Sequence, residues 1–322
     1  MFGGSDLPTS RETESMQNSP ARTILAATAA WNSSAMAIGS ALAGRTARAW
    51  SGPAAAEAPP SLGRMGSLDV RLAVGRKEVR RAQRLRYKVF FEHGSAVPSQ
   101  SAALHRRDLC AFDAVCDHLV VIDHDALDRH LGGRRPKIVG TYRLLRQEMA
   151  ERHFGFYTAR EFDIAPLLAR HPGKRFLELG RSCVLPRYRS KRTIELLWRG
   201  IWAYVQSHGV DVLIGCASLD GCDPDALVVP LSALRHYAQA EPAWQARPLP
   251  GRAALTTLIP AEALDRRDAL ARLPPLVKGY LRAGARFGEG VVVDHAFGTT
   301  DVLAVLPLDD LDGRYRRRFG SA

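Results

Sequence analysis

The nine-residue run FLELGRSCV, positions 176 to 184, sets an acid and a base inside an apolar segment that otherwise reads as a buried strand. Strand side chains alternate with period two, so Glu178 and Arg181 belong on opposite faces of a regular strand. One of the two charges would then sit in the core unpaired, at a heavy cost. Gly180 lies between them, and glycine inside a strand marks a bulge, where one extra residue resets the alternation. With that bulge both charges face one side. The segment is expected to be an active-site strand.

The rest of the chain supplies a sheet around it. LDVRLAV, from residue 68, alternates as a strand does, and GRKEVRRAQRLRYKVFFEHG follows with helical period. That helix puts Val79, Ala82 and Val89 on one stripe and Arg76, Lys77, Arg80, Arg81, Arg84 and Lys88 on the others. A polar loop over 94–117 carries Asp108 and Asp113, and loops of this length are usually functional. Strands are expected at 118–123 and 137–146, a helix after PRYRSKRT, a buried strand in VDVLIGCASL, mostly helix over 224–285, and two closing strands, VVVDHAF and DVLAVLPL. This order describes an α/β sandwich around a mixed sheet. No dinucleotide fingerprint or P-loop occurs.

Residues 1–66 are rich in Ala, Ser, Gly, Thr and Pro and are expected to form a disordered or weakly helical extension; 67–308 form the domain and 309–322 a basic tail. The net charge of +12 implies an acidic partner or surface. Nucleic acid would need a recognition helix or an aromatic platform, and neither is legible. The five cysteines form no dense framework, so free thiols in a reducing cytoplasm are expected, and no metal site. No apolar run is long enough to span a bilayer, so any membrane contact would be peripheral.

The pieces LRYKVFFE, CDHLVV, VGTYRLLR, FYTAREFD, LELGRSCV, LLWRGIWAY, GCASLDG and LPPLVKGYLRAGA together resemble the GNAT superfamily, and within it the L-ornithine Nα-acyltransferases. A more distant similarity, to acyl-homoserine-lactone synthases, rests on Arg84, Phe90, Asp108, Asp113, Arg143, Glu178 and Arg181. The resemblance implies a GNAT-like mixed central sheet flanked by helices, with a bulged fourth strand. It implies transfer of a 3-hydroxy fatty acyl group from acyl carrier protein to the α-amine of L-ornithine, giving lyso-ornithine lipid, with no cofactor beyond the phosphopantetheine thioester of the donor. The alternative acceptor is another amine, as in the lactone synthases.

An amine attacks a thioester only as the free base, so a carboxylate, or a water held by one, must take its proton. Glu178 is the choice for that base, its alternative being an ion pair with Arg181 or Arg143. A bulged strand can turn a backbone N–H toward the oxyanion, here near Arg181. Asp108 and Asp113 are expected to hold the acceptor's ammonium groups, and Arg84 or Arg143 its carboxylate. Arg187, Arg189, Lys191 and Arg192 crowd a helix start where GNAT enzymes using coenzyme A carry glycines; they are expected to meet the phosphopantetheine phosphate and the acidic carrier, the alternative being a solvated helix end. Cys183 reads as core rather than nucleophile, His118 and His295 as strand histidines, and Trp198, Trp202 and Tyr204 as helix packing. The expected place of work is the cytoplasmic face of the inner membrane.

Overall fold

The computed structural model describes residues 59–130, 133–311 and 313. The extension up to 58 and the tail from 314 lie outside these residues. The first strand, β1 (Gly63–Met65), falls inside the stretch assigned above to the extension, because it pairs with β2 (Leu68–Leu72) across the left-handed turn at Gly66.

Helix α1 (Gly75–Tyr87) follows, with the Val74 N–H bonded to the Glu78 carboxylate at 2.7 Å and that carboxylate held by both ends of the Arg71 guanidinium. The helix continues as a wider π turn over Lys88–Glu92. The loop 94–117 contains helix α2 (Gln100–His105), capped by the Ser99 hydroxyl, and a 3₁₀ turn at Ala111–Ala114. Strands β3 (Asp117–His130) and β4 (Gly133–Arg146) form a longer hairpin than expected. Short helices α3 (Gln147–Arg152) and α4 (Ala165–Arg170) lead to β5 (Phe176–Val184). Helix α5 (Lys191–His208) starts at the Ser190 cap and ends at left-handed Gly209.

Strand β6 (Val212–Asp220) is followed by a segment less helical than expected, in which α6 (Val228–Tyr237), β7 (Ala253–Ala254), α7 (Arg266–Ala271) and α8 (Pro275–Ala283) alternate with turns. Pro242, Pro248, Pro250 and Pro260 interrupt any longer helix there. The strands β8 (Arg286–Phe287), β9 (Val291–Asp294) and β10 (Thr299–Pro307) complete the sheet.

The strand order is β1-β2-β3-β4-β5-β6-β10-β9-β7, with β8 also on β10. Neighbours are antiparallel except β5 and β6, which run parallel. The sheet is therefore mixed, with helices on both faces. Gly200 lets α5 approach Val70 and Leu119, since a Cβ there would stand 2.8 Å from Val70. Leu119 pairs with Tyr142 and His118 with Arg143, so α5 covers one face while His118 and Arg143 point to the other. Among the described residues no helix is long and apolar enough to cross a membrane.

Candidate active site

The fourth and fifth strands meet in an interrupted ladder. Gly140 and Thr141 pair with Val184 and Cys183, then Arg143 pairs with Gly180, so Arg181 and Ser182 together stand opposite Tyr142. The bulge exists, one residue later than the glycine suggests. Its extra residue is Arg181 itself, in the left-handed region at φ 51°, a conformation costing a side-chain-bearing residue about 1 kcal/mol or more. Gly180 has a different use: a Cβ there would lie 3.6 Å from the Arg143 guanidinium, which passes over it. Glu178, opposite Leu145, shares the face of Arg143, and the bulge adds Arg181 to it.

Tyr157 is the centre of this face. Its ring lies 4.7 Å from the Arg181 guanidinium carbon and 5.3 Å from that of Arg143, with exposed Arg160 at 5.4 Å. Arg181 also lies 4.3 Å from the Phe297 ring, and Phe90 packs edge-on against Phe297. Phe90 thus borders the site through another ring.

Glu178 is buried and makes no ion pair with either arginine. Its Oε2 accepts from the Tyr157 N–H at 2.8 Å, and its Oε1 from the Thr158 N–H at 2.5 Å and from the Thr158 hydroxyl. The carboxylate caps the 3₁₀ turn Thr158–Arg160 and so fixes Tyr157. Neither alternative weighed from the sequence included this role.

The two loop aspartates do not stand free for an ammonium group. Asp108 accepts from Arg86 Nε at 2.7 Å and lies 3.3 Å from Arg181 Nε. Asp113 accepts from Arg86 Nη2 at 2.6 Å and from Gln83 at 2.9 Å, and lies 3.6 Å from Arg143 Nη1. Burial alone would raise the Asp113 carboxyl, but the Arg86, His118 and Arg143 charges outweigh it and hold the group well below the usual carboxylate range. These aspartates organise arginines, while Asp113 Oδ1 makes no hydrogen bond.

Arg84 is exposed on α1, whereas Arg86 is fully buried. The signal was present, since Arg86 lies four residues after Ala82 and three before Val89, on the apolar stripe itself. Arg143 lies on the face of Glu178. It is 3% exposed, and its Nη1 makes no hydrogen bond, the Asp113 carboxylate standing off at 3.6 Å. A buried guanidinium in that condition is poised for an anion.

Beyond Glu178 the parallel strands part, and between them lies an apolar cavity of about 30 Å³ lined by Leu179, Trp198, Leu213, Tyr280 and Leu306, on the opposite face. Trp198 packs against the core beside this cavity, edge-on to Tyr280. A second cavity, of about 550 Å³, gathers Lys88, Lys137 and Arg187. Arg187 joins Lys88 of the basic helix and Lys137, a residue that the sequence did not single out. Arg189 donates to the Val184 carbonyl at 3.2 Å, and exposed Lys191 and Arg192 flank the start of α5.

All five cysteines are free, and burial pushes the Cys183 thiol up to about 12, which makes it a poor nucleophile. His118 is a buried strand residue bonded to the Asp113 carbonyl, while His295 lies in the turn after β9.

A GNAT acetyltransferase domain matches residues 85–199. The chain is 54% identical to an L-ornithine N(alpha)-acyltransferase of Agrobacterium fabrum, over 80% of this chain and 87% of that one. It is 49% identical to the L-ornithine N(alpha)-acyltransferase of Rhizobium meliloti, over 83% and 89% respectively. An N-acyl amino acid synthase from uncultured soil microbes superposes with a TM-score of 0.44 and 11% identity, over 78% of this chain and 94% of that one.

Proposed function

The chain belongs to the L-ornithine N(alpha)-acyltransferase family and is an acyltransferase, and from that premise we propose that it moves a 3-hydroxy fatty acyl group from acyl carrier protein to the α-amine of L-ornithine, forming lyso-ornithine lipid. The observation that carries this reading is Arg143, a buried cation whose Nη1 makes no hydrogen bond, on the same sheet face as Glu178 beside the Arg181 bulge. An amino acid whose carboxylate pairs with Arg143 brings its α-amine to that face.

Three donors occupy Glu178, but Oε2 receives only the Tyr157 N–H and keeps one lone pair. That lone pair takes the ammonium proton, directly or through a water, and the free amine attacks the thioester carbonyl. The oxyanion forms at the bulge, where the β4 ladder is interrupted. As the C–S bond breaks, the departing thiolate takes up the second proton shed by the attacking nitrogen, and the base returns to its ionised form by passing the first to solvent. No acyl-enzyme is required, in accord with the inert Cys183 thiol.

Lys88, Lys137 and Arg187 suit the single phosphate of phosphopantetheine, and the exposed basic residues of α1 and of the α5 start suit an acidic carrier. The apolar cavity between β5 and β6 offers the start of an acyl path. The same basic surface suits an anionic leaflet that receives the amphiphilic product.

Purified protein given 3-hydroxyacyl carrier protein and L-ornithine should release carrier thiol and an N-acyl ornithine of matching mass. Absence of thiol release with any amino acid would remove this reading.

A further inference from the structure

A second group of acids lies on the same sheet face and has no part in the steps above. Asp301 of β10 stands opposite Ser218 of β6, and Cys216 lies two residues back on the same face. Glu161 follows the 3₁₀ turn whose start Glu178 caps. One ligand atom each from Glu161, Cys216 and Asp301 lie within 4.8 Å of one another.

The two carboxylates are incompletely partnered. Glu161 and Asp301 are 2% and 5% exposed, and Glu161 Oε2 and Asp301 Oδ1 have no hydrogen-bond partner. The Thr299 hydroxyl, about nine-tenths buried and two residues before Asp301 on the same face, lies beside the Asp301 carboxylate. Asp294, in register with Thr299, adds another negative charge acting on both acids, and the exposed Arg252 is the cation that opposes it at Glu161. Buried acids this close cannot all ionise without an added cation.

Position decides which cation. Arg143 lies beside Tyr157, the Asp294 charge also reaches Tyr157, and the Glu178 charge reaches Cys216, so the two groups of charge share one neighbourhood. Across the strand order β4-β5-β6-β10 the face therefore runs from the Arg143 guanidinium, past Glu178, to the unpartnered oxygens of Glu161 and Asp301. A divalent ion held by Glu161, Cys216 and Asp301 would have to displace the thiol proton. An ammonium, in contrast, has three donors for three oxygens.

We infer that Glu161 and Asp301, with the Thr299 hydroxyl, hold the side-chain ammonium of the acceptor and so select a diamino acid over one with an apolar side chain. This rests on the reading of an amino acid acceptor given above. It adds the residues that choose among amino acids.

The test compares L-ornithine with L-norvaline, which has the same carbon chain without the terminal amine, in wild type, Glu161→Gln, Asp301→Asn and Thr299→Val. Wild type should favour ornithine by about 100-fold or more in kcat/KM. The near-isosteric acid variants should lose most of that preference, to below about 10-fold, with the loss falling on KM more than on kcat. Thr299→Val should show a smaller loss in the same direction, which keeps the test open should an acid variant fold poorly.

A preference unchanged in variants with wild-type melting curves would overturn the inference. So would a stoichiometric divalent ion that copurifies with wild type and is lost from Glu161→Gln. Calorimetric binding of the two amino acids reads the inference without turnover: ornithine binding lost in the variants supports it, and equal wild-type affinity for both compounds overturns it. Failure of acyl transfer alone would count against the preceding reading, with this binding difference still scored.

Discussion

The carbonyl oxygen of Leu179 lies 2.5 Å from the point where a Cβ on Gly215 would stand. The two residues mark where β5 and β6 separate, since parallel pairing holds through Glu178 with Ile214 and then stops. Both line the apolar cavity. Gly215→Ala should displace the Leu179 backbone, destabilise by about 1–3 kcal/mol in urea, and slow transfer from long-chain donors more than from short ones. Equal rates for both chain lengths would place the acyl path elsewhere.

Arg86 is the main partner of two buried carboxylates. Arg86→Met should therefore cost about 3–5 kcal/mol, because it leaves Asp108 and Asp113 buried without their closest cation. Arg84→Ala, two residues earlier and exposed, should stay within about 0.5 kcal/mol. Urea midpoints for the two proteins measure the contrast directly.

Glu178 both caps a turn and is the proposed base, and the two roles separate by mutation. Glu178→Gln should lower kcat by about 100-fold or more while the donor KM changes little. Thr158→Ala removes the hydroxyl but leaves both backbone donors, and should lower kcat by less than about 10-fold. A loss in Thr158→Ala as deep as in Glu178→Gln would assign Glu178 to positioning alone.

Burial, and then the Asp301 charge, pushes the Glu161 carboxyl from its ordinary 4.5 up to about 8. Asp294 acts in the same direction, and Cys216 and Arg252 oppose it. The folded protein keeps a proton there that the unfolded chain has released. The stability from this group is complete below about pH 4.5 and is lost as the pH rises through about 8. Glu161→Gln cannot ionise, so its melting temperature should rise relative to wild type between pH 5 and pH 9. Parallel curves across that range would deny the shift.

Much of the fold is legible along the chain because its signals are local. The alternation from Leu68, the stripe through Val79, Ala82 and Val89, and the Gly209 stop each depend on neighbours a few residues away. The pairing of Glu178 with Arg181 on one face was readable from spacing and a nearby glycine, although the extra residue proved to be Arg181. That Arg86 rather than Arg84 is the buried arginine of the helix was not legible from composition, which shows a basic helix, whereas its phase against the sheet shows which side chain is buried.

The sequence by itself determined the kinds of element, their order, and the strand that carries the charges, since backbone periodicity and glycine's freedom act over short range. Only tertiary structure decided which charges meet. Asp108 and Asp113 find arginines, Glu178 finds a turn, and Glu161 joins Asp301 because β10 pairs antiparallel with β6 and brings distant residues onto one face. Partner choice among buried charges depends on register and distance in space, which no local pattern encodes.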